Sequence, residues 1–365
     1  MKGNNKLTIL DFYIIKKFLG SFATVIGLVI VVVLVIDFAE QIQGFLDNNV
    51  PMKKIITEYY FNFVPYFVNL FSPLFTFIAV IYFTSKLSRN SEIIAMLNAG
   101  ISFYRLMVPY IISAVFIGLL SFYLTNFLIP KTQKNVMEFK EIYMSSRQVR
   151  SKDVDNHIKI NDNTYAYVRY WDNSNSLGYD FAYEYMDENS MRYKLRSQTI
   201  KWDSVDNIWK LQNYTVRTFD GLNETLASGN EKDTILPISV SDFVWVKQGF
   251  TMMNYSEIRA FIKEEKEKGS GEIRNYEFEK HRRIAFPFAT IILSIVGLCV
   301  SSRKSRQGVG LHLLLGILIT FSFIMLLQFS QVFAIYGGFS PFLAAWTPNI
   351  IYTLLCIALV INTPK

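Results

Sequence analysis

The fold is decided first by Phe18–Ile36, which reads FLGSFATVIGLVIVVVLVI and contains no charged residue. An α-helix needs about 20 mostly apolar residues to cross the hydrocarbon core of a bilayer, and this segment has that length. A secretory signal peptide would have a shorter apolar core, followed by a cleavage site of small residues. The segment that follows here is Asp37-Phe38-Ala39-Glu40, which lacks such a site. Phe18–Ile36 therefore predicts a first transmembrane helix.

Five further apolar segments are long enough to cross a membrane: Tyr59–Phe83, Phe103–Leu128, Ile284–Val300, Val309–Val332 and Phe342–Ile361. The first of these five contains Pro65 and Pro73. A membrane helix tolerates proline where neighbouring helices satisfy the freed carbonyl groups. We therefore expect this helix to lie inside a bundle or to line a cavity. Together the segments predict six spans, three before and three after a long polar region.

The composition supports an integral membrane protein. Hydrophobic residues make up 51% and charged residues 18% of the 365 residues, whereas soluble domains carry about 25% charged residues. Intrinsic disorder is excluded, because it requires low hydrophobicity and high charge. A disulfide-stapled scaffold is excluded as well, since the chain contains only two cysteines.

The lysines and arginines of the short connecting segments predict the orientation, because cytoplasmic loops carry the excess of positive charge. The opposite short loops hold only Lys53 and Lys54, whereas the other set holds Lys2, Lys6, Lys16, Lys17, Lys86, Arg89, Arg105, Arg303, Lys304, Arg306 and Lys365. Both termini are therefore expected in the cytoplasm and the long polar region outside. Residues 131–270 contain 20 Lys and Arg against 21 Asp and Glu. The net charge of +7 is thus mostly a topology signal, and no nucleic-acid partner is expected.

The polar region changes to a hydrophobic period of two, which is typical of half-buried strands. Alternation occurs in His157–Ile160, Tyr165–Tyr170, Arg192–Leu195, Trp209–Gln212 and Tyr214–Phe219, with turn-forming clusters between these runs. This spacing predicts an all-β sandwich, jelly roll or open barrel. Helices are expected on either side of it, over Val136–Met144 and Tyr255–Lys268. The pattern does not decide between an inert cap and a groove that holds an apolar chain.

The sequence contains no catalytic or metal-binding motif. The three histidines, His157, His281 and His312, lie far apart, and neither a H-E-x-x-H nor a Cys-x-x-Cys spacing occurs. A G-x-x-x-x-G-K-[ST] phosphate loop and a G-x-S-x-G elbow are also missing. We therefore expect a protein that is not an enzyme, binds no cofactor and does not hydrolyse ATP by itself.

A short helix is predicted within Leu87–Ser102, between the second and third spans. Asn90 or Ser91 can cap it, Glu92 suits its positive N-terminus, and Gly100 can end it in the left-handed conformation. One apolar stripe recurs at i, i+3, i+4 and i+7, formed by Ile93, Met96, Leu97 and Gly100. The stripe could lie on lipid headgroups as a connecting turn, or insert into a groove of a cytoplasmic partner. Periodicity alone favours the connecting turn.

A basic cluster precedes the fourth span, on the side that the topology rule leaves poor in positive charge. Arg282 and Arg283 either pair with Glu277 or Glu279, or hold an anionic lipid headgroup, since arginine binds phosphate with two parallel hydrogen bonds. Acidic residues lie at the outer end of the first span. Asp37 and Glu40 there either pair with Lys53 or Lys54, or face a water-filled vestibule.

Four segments resemble one known family, the lipopolysaccharide-export permeases LptF/LptG. They are Arg89–Met96 with Ala99–Ser102, Tyr276 with His281–Phe288, Gly338–Asn349, and Asn126–Pro130. They occur in the family's order on the family's layout, with three spans, an outer β domain and three spans. The resemblance covers nearly the whole chain.

The resemblance implies a transport subunit of the bacterial inner membrane, with a periplasmic β-jellyroll inserted between helices 3 and 4. Its implied partners are a cytoplasmic ATPase dimer that hydrolyses the ATP, a homologous permease subunit, a periplasmic bridge protein and lipopolysaccharide. ATP-driven closure of the ATPase would squeeze a cavity and expel the lipid upward. The implied ATPase-coupling residues are Glu92, Ile93, Ile94, Met96, Leu97 and Gly100.

The chain departs from the family at one place. Family members often carry basic residues at the outer end of the first span, where Asp37 and Glu40 stand here. Headgroup contacts are then expected from Lys53, Lys54, Arg282 and Arg283 or from the partner permease, unless the substrate carries fewer phosphates. The F and G roles are not distinguished, and a permease for another lipid or for lipoproteins is the alternative. The expected division is 1–130, with a coupling helix near 90–100, then 131–275 and 276–365.

Two other classes are weaker. A receptor would need a cytoplasmic signalling module, and no cytoplasmic segment is long enough for one. An ion-coupled transporter would need ionisable residues deep within the spans, where His312, Gln328 and Gln331 form a thin set.

Overall fold

The computed structural model describes residues 8–148, 156–161, 163–172, 175–187, 190–204, 206–221, 223–238, 240, 250–268, 273–302 and 309–363. The chain forms two compact units. The helical unit consists of Met1–Tyr143, Thr251–Ser256 and Arg274–Lys365, and the β unit of Met144–Phe250 and Glu257–Ile273. Lys2, Lys6, Arg303, Lys304, Arg306 and Lys365 lie outside the described residues.

Nine helices are described. They are α1 (Ile9–Asp47), α2 (Met52–Arg89), α3 (Glu92–Asn98), α4 (Phe103–Tyr123), α5 (Ile129–Gln148), α6 (Tyr255–Lys268), α7 (Ile273–Ser301), α8 (Val309–Tyr336) and α9 (Pro341–Ile361). A π-helical turn, Leu124–Leu128, joins α4 to α5, and a second one, Ile55–Tyr60, lies in α2. A short 3₁₀ turn covers Phe250–Met252. Within the described residues, six helical segments are long and apolar enough to cross a membrane.

Asn69, a polar residue in the apolar span of α2, is satisfied by side chains of α4 and of the π-helical turn that follows it. The Asn69 side chain donates to Thr125 Oγ1 at 2.8 Å and accepts from Ser121 Oγ at 2.6 Å. Pro73 is buried in the same helix. In a membrane such groups must find partners inside the protein, because lipid offers none. The expectation that this helix lies inside a bundle is therefore met.

Two apolar clusters hold the helical unit together. The first joins α1, α2, α3, α4 and α7 through buried residues that include Phe18, Phe83, Ile93, Tyr110 and Leu298. The second joins α2, α7, α8 and α9 through residues that include Phe77, Leu293, Phe323 and Tyr352. Helices α2 and α7 contribute to both clusters, so they form the centre of the bundle. In the most apolar stretch of α7, 61% of the residues are buried, whereas in that of α1 only 6% are buried.

The β unit contains one antiparallel sheet with strands in sequential order. The strands are β1 (Asn156–Asn161), β2 (Thr164–Asp172), β3 (Leu177–Asp187), β4 (Ser190–Asp203), β5 (Ile208–Asp220) and β6 (Asn223–Thr234). The predicted turn clusters lie between them. A jelly roll with Greek-key connections would instead place non-consecutive strands side by side.

A fold line crosses strands β2 to β5 of the sheet. It explains how strands in sequential order can enclose a core between two parts of the same sheet. Along β2 to β5, inward-facing residues alternate until two successive residues face outward, and the alternation then resumes one residue out of step. These outward pairs are in register with one another, at 169–170, 179–180, 198–199 and 212–213. Asp180 and Asn213 on this line have φ near +51°, a conformation that Asp and Asn adopt more readily than most residues.

Side chains from both sides of that line pack into one cluster, so the sheet folds over a shared core. Val168 and Phe181 lie on one side, and Ile200 and Trp209 lie on the other. Trp209 Nε1 also donates to the carbonyl oxygen of Ile238 at 3.2 Å, which draws the segment after β6 onto the core. The predicted fold class, six transmembrane helices with an inserted all-β domain, is confirmed. The three-part division of the chain stays a prediction.

Candidate functional site

The short helix α3 forms where the sequence places it. Ser91 begins it with φ of +60°, and Gly100 follows its end with φ of +86°. Gly100 adopts the left-handed conformation because it has no Cβ atom to clash there. The Asn90 side chain donates to Glu92 Oε1 at 3.2 Å, close to the positive end of the helix. Glu92–Asn98 is thus a turn-bounded helix of seven residues.

The apolar stripe of α3 faces the protein's own bundle. Ile93 is 1% exposed within the first cluster, and Met96 and Leu97 are half-buried against that cluster. Ile94 is 38% exposed, and Ala95 and Asn98 are exposed beside it. The residues predicted to couple to a partner therefore divide into two sets. Ile93, Met96 and Leu97 attach α3 to the bundle, whereas Ile94 and the partly exposed Glu92 remain accessible.

Two contacts tie α3 and the start of α4 to the start of α1. Tyr13 Oη donates to Glu92 Oε2 at 3.0 Å. Arg105 Nη1 donates to Asp11 Oδ1 at 2.7 Å, and Arg105 Nη2 donates to Asp11 Oδ2. Asp11 and Tyr13 were not singled out from the sequence, and Arg105 was counted only as a topology charge. No local pattern links groups 94 residues apart.

At the opposite end of the bundle, Glu279 pairs with both predicted arginines. Arg282 Nε donates to Glu279 Oε2 at 2.7 Å, and Arg283 Nε lies 3.4 Å from Glu279 Oε1. Arg283 is also bound to the carbonyl oxygen of Met253 at 2.7 Å, and its side chain is only 2% exposed. Arg282 is 26% exposed. Of the two arginines, Arg282 is the one with access to a ligand.

These arginines line a small cavity with residues of α2, the π-turn and α7. Its wall includes Tyr66, Asn69, Thr125, Arg282 and Phe286, and its volume is about 60 Å³. Small-molecule sites usually measure about 300–1,000 Å³. A lipid headgroup would fit only after the helices move apart. The residues that line this cavity include neither Lys53 nor Lys54.

Asp37 and Glu40, towards the C-terminal end of α1, were expected either to pair with Lys53 or Lys54 or to face water. Asp37 Oδ1 accepts a hydrogen bond from Tyr59 Oη at 3.1 Å, whereas Lys54 Nζ donates to Tyr143 Oη at 2.7 Å. Glu40 and Lys53 are exposed. Asp37 is therefore partnered by a tyrosine of α2, and the described contacts give it no pairing with either lysine.

A polar trough of about 510 Å³ crosses β2 to β5 on the face opposite the apolar core. Arg169 Nη1 donates to Asp180 Oδ2 at 3.1 Å, and Asn213 Nδ2 donates to Gln198 Oε1 at 2.6 Å. Arg196 lies in the same trough. On the inner face, burial raises the pKa of the Tyr193 phenol. One face of the sheet is thus polar and the other apolar.

Among the described residues, no group of three or more His, Cys, Asp or Glu is placed to hold a metal ion. Cys299 and Cys356 are buried thiols. What the molecule presents is charge, hydrogen bonds and apolar surface.

The comparison with protein families assigns these features to a known group. The model described as lipopolysaccharide export system permease LptF/LptG matches residues 12–362, nearly the whole chain. The chain belongs to this family. No curated protein matches it closely enough to name a relative. As an LptF/LptG permease it is a multi-pass membrane protein of a lipopolysaccharide export system, and the family resemblance predicted from its motifs is confirmed.

Proposed function

We propose that this chain is the permease subunit of an ATP-driven complex that extracts lipopolysaccharide from the inner membrane and passes it to a periplasmic bridge protein. The observation that carries the proposal is the LptF/LptG match over residues 12–362. A homologous permease subunit and a cytoplasmic ATPase dimer complete the complex. The alternative is a permease of another ATP-driven lipid or lipoprotein exporter, and lipid crosslinked to the protein would distinguish the two.

In the proposed orientation both termini and α3 lie in the cytoplasm, and the β unit lies in the periplasm. The distribution of Lys and Arg between the short connecting segments supports this orientation. It places α3 within reach of a cytoplasmic ATPase and Arg282 at the level of the outer leaflet.

The exposed side of α3 is the proposed contact with the ATPase. Glu92 supplies a carboxylate and Ile94 an apolar anchor, since both remain accessible. Ile93, Met96 and Leu97 act from the other side of the helix, where they attach α3 to the bundle. A displacement of α3 would then move the transmembrane helices, because the stripe and the first cluster pack as one body.

The route of the lipid has to stay apolar. Each methylene group transferred from an apolar environment to water costs about 0.8 kcal/mol, so several acyl chains cannot be exposed at once. The core of the β unit is filled by its own side chains, among them Phe181, Leu195 and Trp209. We infer that an acyl chain enters by separating the two sides of the sheet's fold line.

The headgroup contacts are proposed at the outer ends of the helices. Arg282 and Lys53 are the accessible cations among the four predicted from the sequence. Arg283 is held by Glu279 and Met253, and Lys54 is engaged by Tyr143. An arginine side chain can bind a lipid phosphate with two hydrogen bonds.

The test is co-purification of the ATPase with a Glu92→Lys variant. Reversal of the charge should abolish ATPase binding while the membrane part stays folded. Glu141→Lys is a matched control, because Glu141 is an exposed glutamate on α5, outside α3. If the Glu92→Lys variant carries as much ATPase as the control, the proposed docking role is wrong.

A further inference from the structure

The Asp11 carboxylate, near the start of α1, is buried and makes more hydrogen bonds than a simple ion pair would. It is 1% exposed and accepts four hydrogen bonds. Two come from the Arg105 guanidinium, and two come from the backbone nitrogen and the Oγ1 of Thr8, at 2.6 and 2.9 Å. Asp11 therefore closes the capping box of α1 and, with the same oxygens, binds the first turn of α4.

These contacts connect α1 to both sides of α3. Tyr13 reaches Glu92, the first residue of α3, and Asp11 reaches Arg105, which follows α3 at the start of α4. The Ser102 side chain accepts from the backbone nitrogen of Arg105 at 3.3 Å, which fixes that turn. A guanidinium that binds one carboxylate with both Nη atoms resists rotation as well as separation. The start of α1 is thus bound to residues on both sides of α3.

Beyond this end, one face of α1 is exposed. Ile14 and Phe18 are fully buried, whereas Leu28, Val31 and Val35 are 60–65% exposed. At the other end of the helix, Phe45 is 3% exposed and packs edge-on against Tyr59, with the ring centroids 5.8 Å apart. A helix of 39 residues is about 58 Å long at 1.5 Å per residue. Helix α1 is therefore packed tightly at both ends, whereas Ile26 is the only buried residue between Phe18 and Phe45 and the opposite face is exposed.

We propose that the Asp11–Arg105 pair is the joint through which a displacement of α3 is transmitted to α1, with Asp11 and Arg105 as positioning residues. The proposal rests on the proposed function, since the displacement is that produced by the ATPase. The pair is distinct from the proposed docking contacts, which are Glu92 and Ile94 on α3. Through this joint the ATPase would move α1, whose exposed face is a surface that lipid can reach.

The test uses the complex with its ATPase in vesicles of phosphatidylethanolamine and phosphatidylglycerol that contain lipopolysaccharide. Asp11→Asn and Arg105→Lys should bind the ATPase at the unaltered stoichiometry but release at least tenfold less lipid per ATP hydrolysed. Spin labels at Val32→Cys on α1 and Leu119→Cys on α4, with Cys299 and Cys356 replaced by alanine, should show a nucleotide-dependent distance change that these variants lose. Lys16→Gln, which changes an exposed residue of α1, is the control and should keep the coupling.

The outcomes separate this proposal from the proposed function. Unaltered lipid release per ATP in Asp11→Asn and Arg105→Lys would overturn the joint and leave the function standing. Loss of ATPase binding equal to that of Glu92→Lys would also overturn it, because the pair would then serve only to fold α3. If the unaltered chain moves its labels with nucleotide but releases no lipopolysaccharide, the function is wrong and the joint stands.

A second variant covers the case in which a single substitution fails to fold. Asp11→Leu combined with Arg105→Met replaces the pair by apolar side chains, an exchange that proteins often tolerate. If the pair acts as a fixed contact, the double variant should recover lipid release per ATP to within about twofold of the unaltered chain. A folded double variant that docks the ATPase and releases no lipid would contradict the proposal.

Discussion

The two ends of the helical unit both bury a carboxylate against arginine, but the pairs do different things. Glu279 binds arginines three and four residues further along its own helix. Asp11 binds an arginine that lies 94 residues away on another helix. A pair within one helix sets the position of side chains over a cavity, whereas a pair between helices makes two helices move together. The first end is therefore the proposed headgroup contact, and the second end is the proposed mechanical joint.

The largest effect is expected from Glu279→Gln. This change leaves the 2%-exposed Arg283 without its carboxylate, and removing one partner of a buried ion pair typically costs about 3–5 kcal/mol. The expected result is a markedly lower unfolding temperature of the purified chain in detergent. An unfolding temperature within 2 °C of the unaltered chain would show that this pair does not shape the bundle.

The next largest effects are expected from a matched pair of substitutions on α3. Ile93→Ala removes a side chain that is 1% exposed and should cost about 2–5 kcal/mol of stability, because it leaves a cavity in the first cluster. Ile94→Ala should leave stability almost unchanged and weaken ATPase binding instead. Thermal unfolding and ATPase co-purification, measured on both variants, check this separation. Equal behaviour of the two would mean that α3 has no distinct inner and outer sides.

The Glu279 end can be tested with its two arginines. Arg282→Gln should weaken retention of phosphorylated lipid by about tenfold, since a charge-assisted contact contributes roughly 1.5–3 kcal/mol. Arg283→Gln should chiefly lower stability, because Arg283 is held by Glu279 and Met253. Mass spectrometry of lipid co-purified with each variant gives the comparison. Greater lipid loss from Arg283→Gln than from Arg282→Gln at equal stability would reverse the assignment.

The smallest effect is expected from Gly100→Ala. Gly100 has φ of +86°, and a residue with Cβ pays about 1–2 kcal/mol in a left-handed conformation. No atom lies within 4 Å of the added Cβ, so crowding contributes nothing. We expect slightly weaker ATPase binding, measurable as a shift in the binding curve. A loss of about a hundredfold or more, beyond what this strain can account for, would indicate that Gly100 contacts the ATPase directly.

The sequence predicted the features that depend on local composition. Six apolar runs gave six helices, and Gly100 ended α3 as expected, because these signals come from neighbouring residues. Strands β3 and β6 escaped detection, and β6 is an exposed edge strand without apolar alternation. Strand β5 was predicted as two runs, because Asn213 breaks its alternation where the sheet folds.

The sequence located the short helix α3 and the two arginines of α7, but not the directions in which their side chains face. The stripe of α3 was identified from its spacing, yet spacing does not tell whether a stripe faces a partner or the protein's own core. Arg282 and Arg283 are adjacent in sequence, and only the packing of α7 against Met253 makes one buried and the other accessible. The Asp11–Arg105 pair depends on how three helices converge, which no single segment records.

The central claim is that the outward side of α3 meets a cytoplasmic ATPase whose movement drives lipid through this chain. Photocrosslinking from position 94 of the intact complex tests it most directly, with a crosslinker at the exposed Phe127 as the reference position. The account predicts a crosslink to the ATPase from position 94 and to lipid from position 127. A probe at position 94 that is labelled only from the periplasmic side, or that crosslinks to lipid alone, would contradict it.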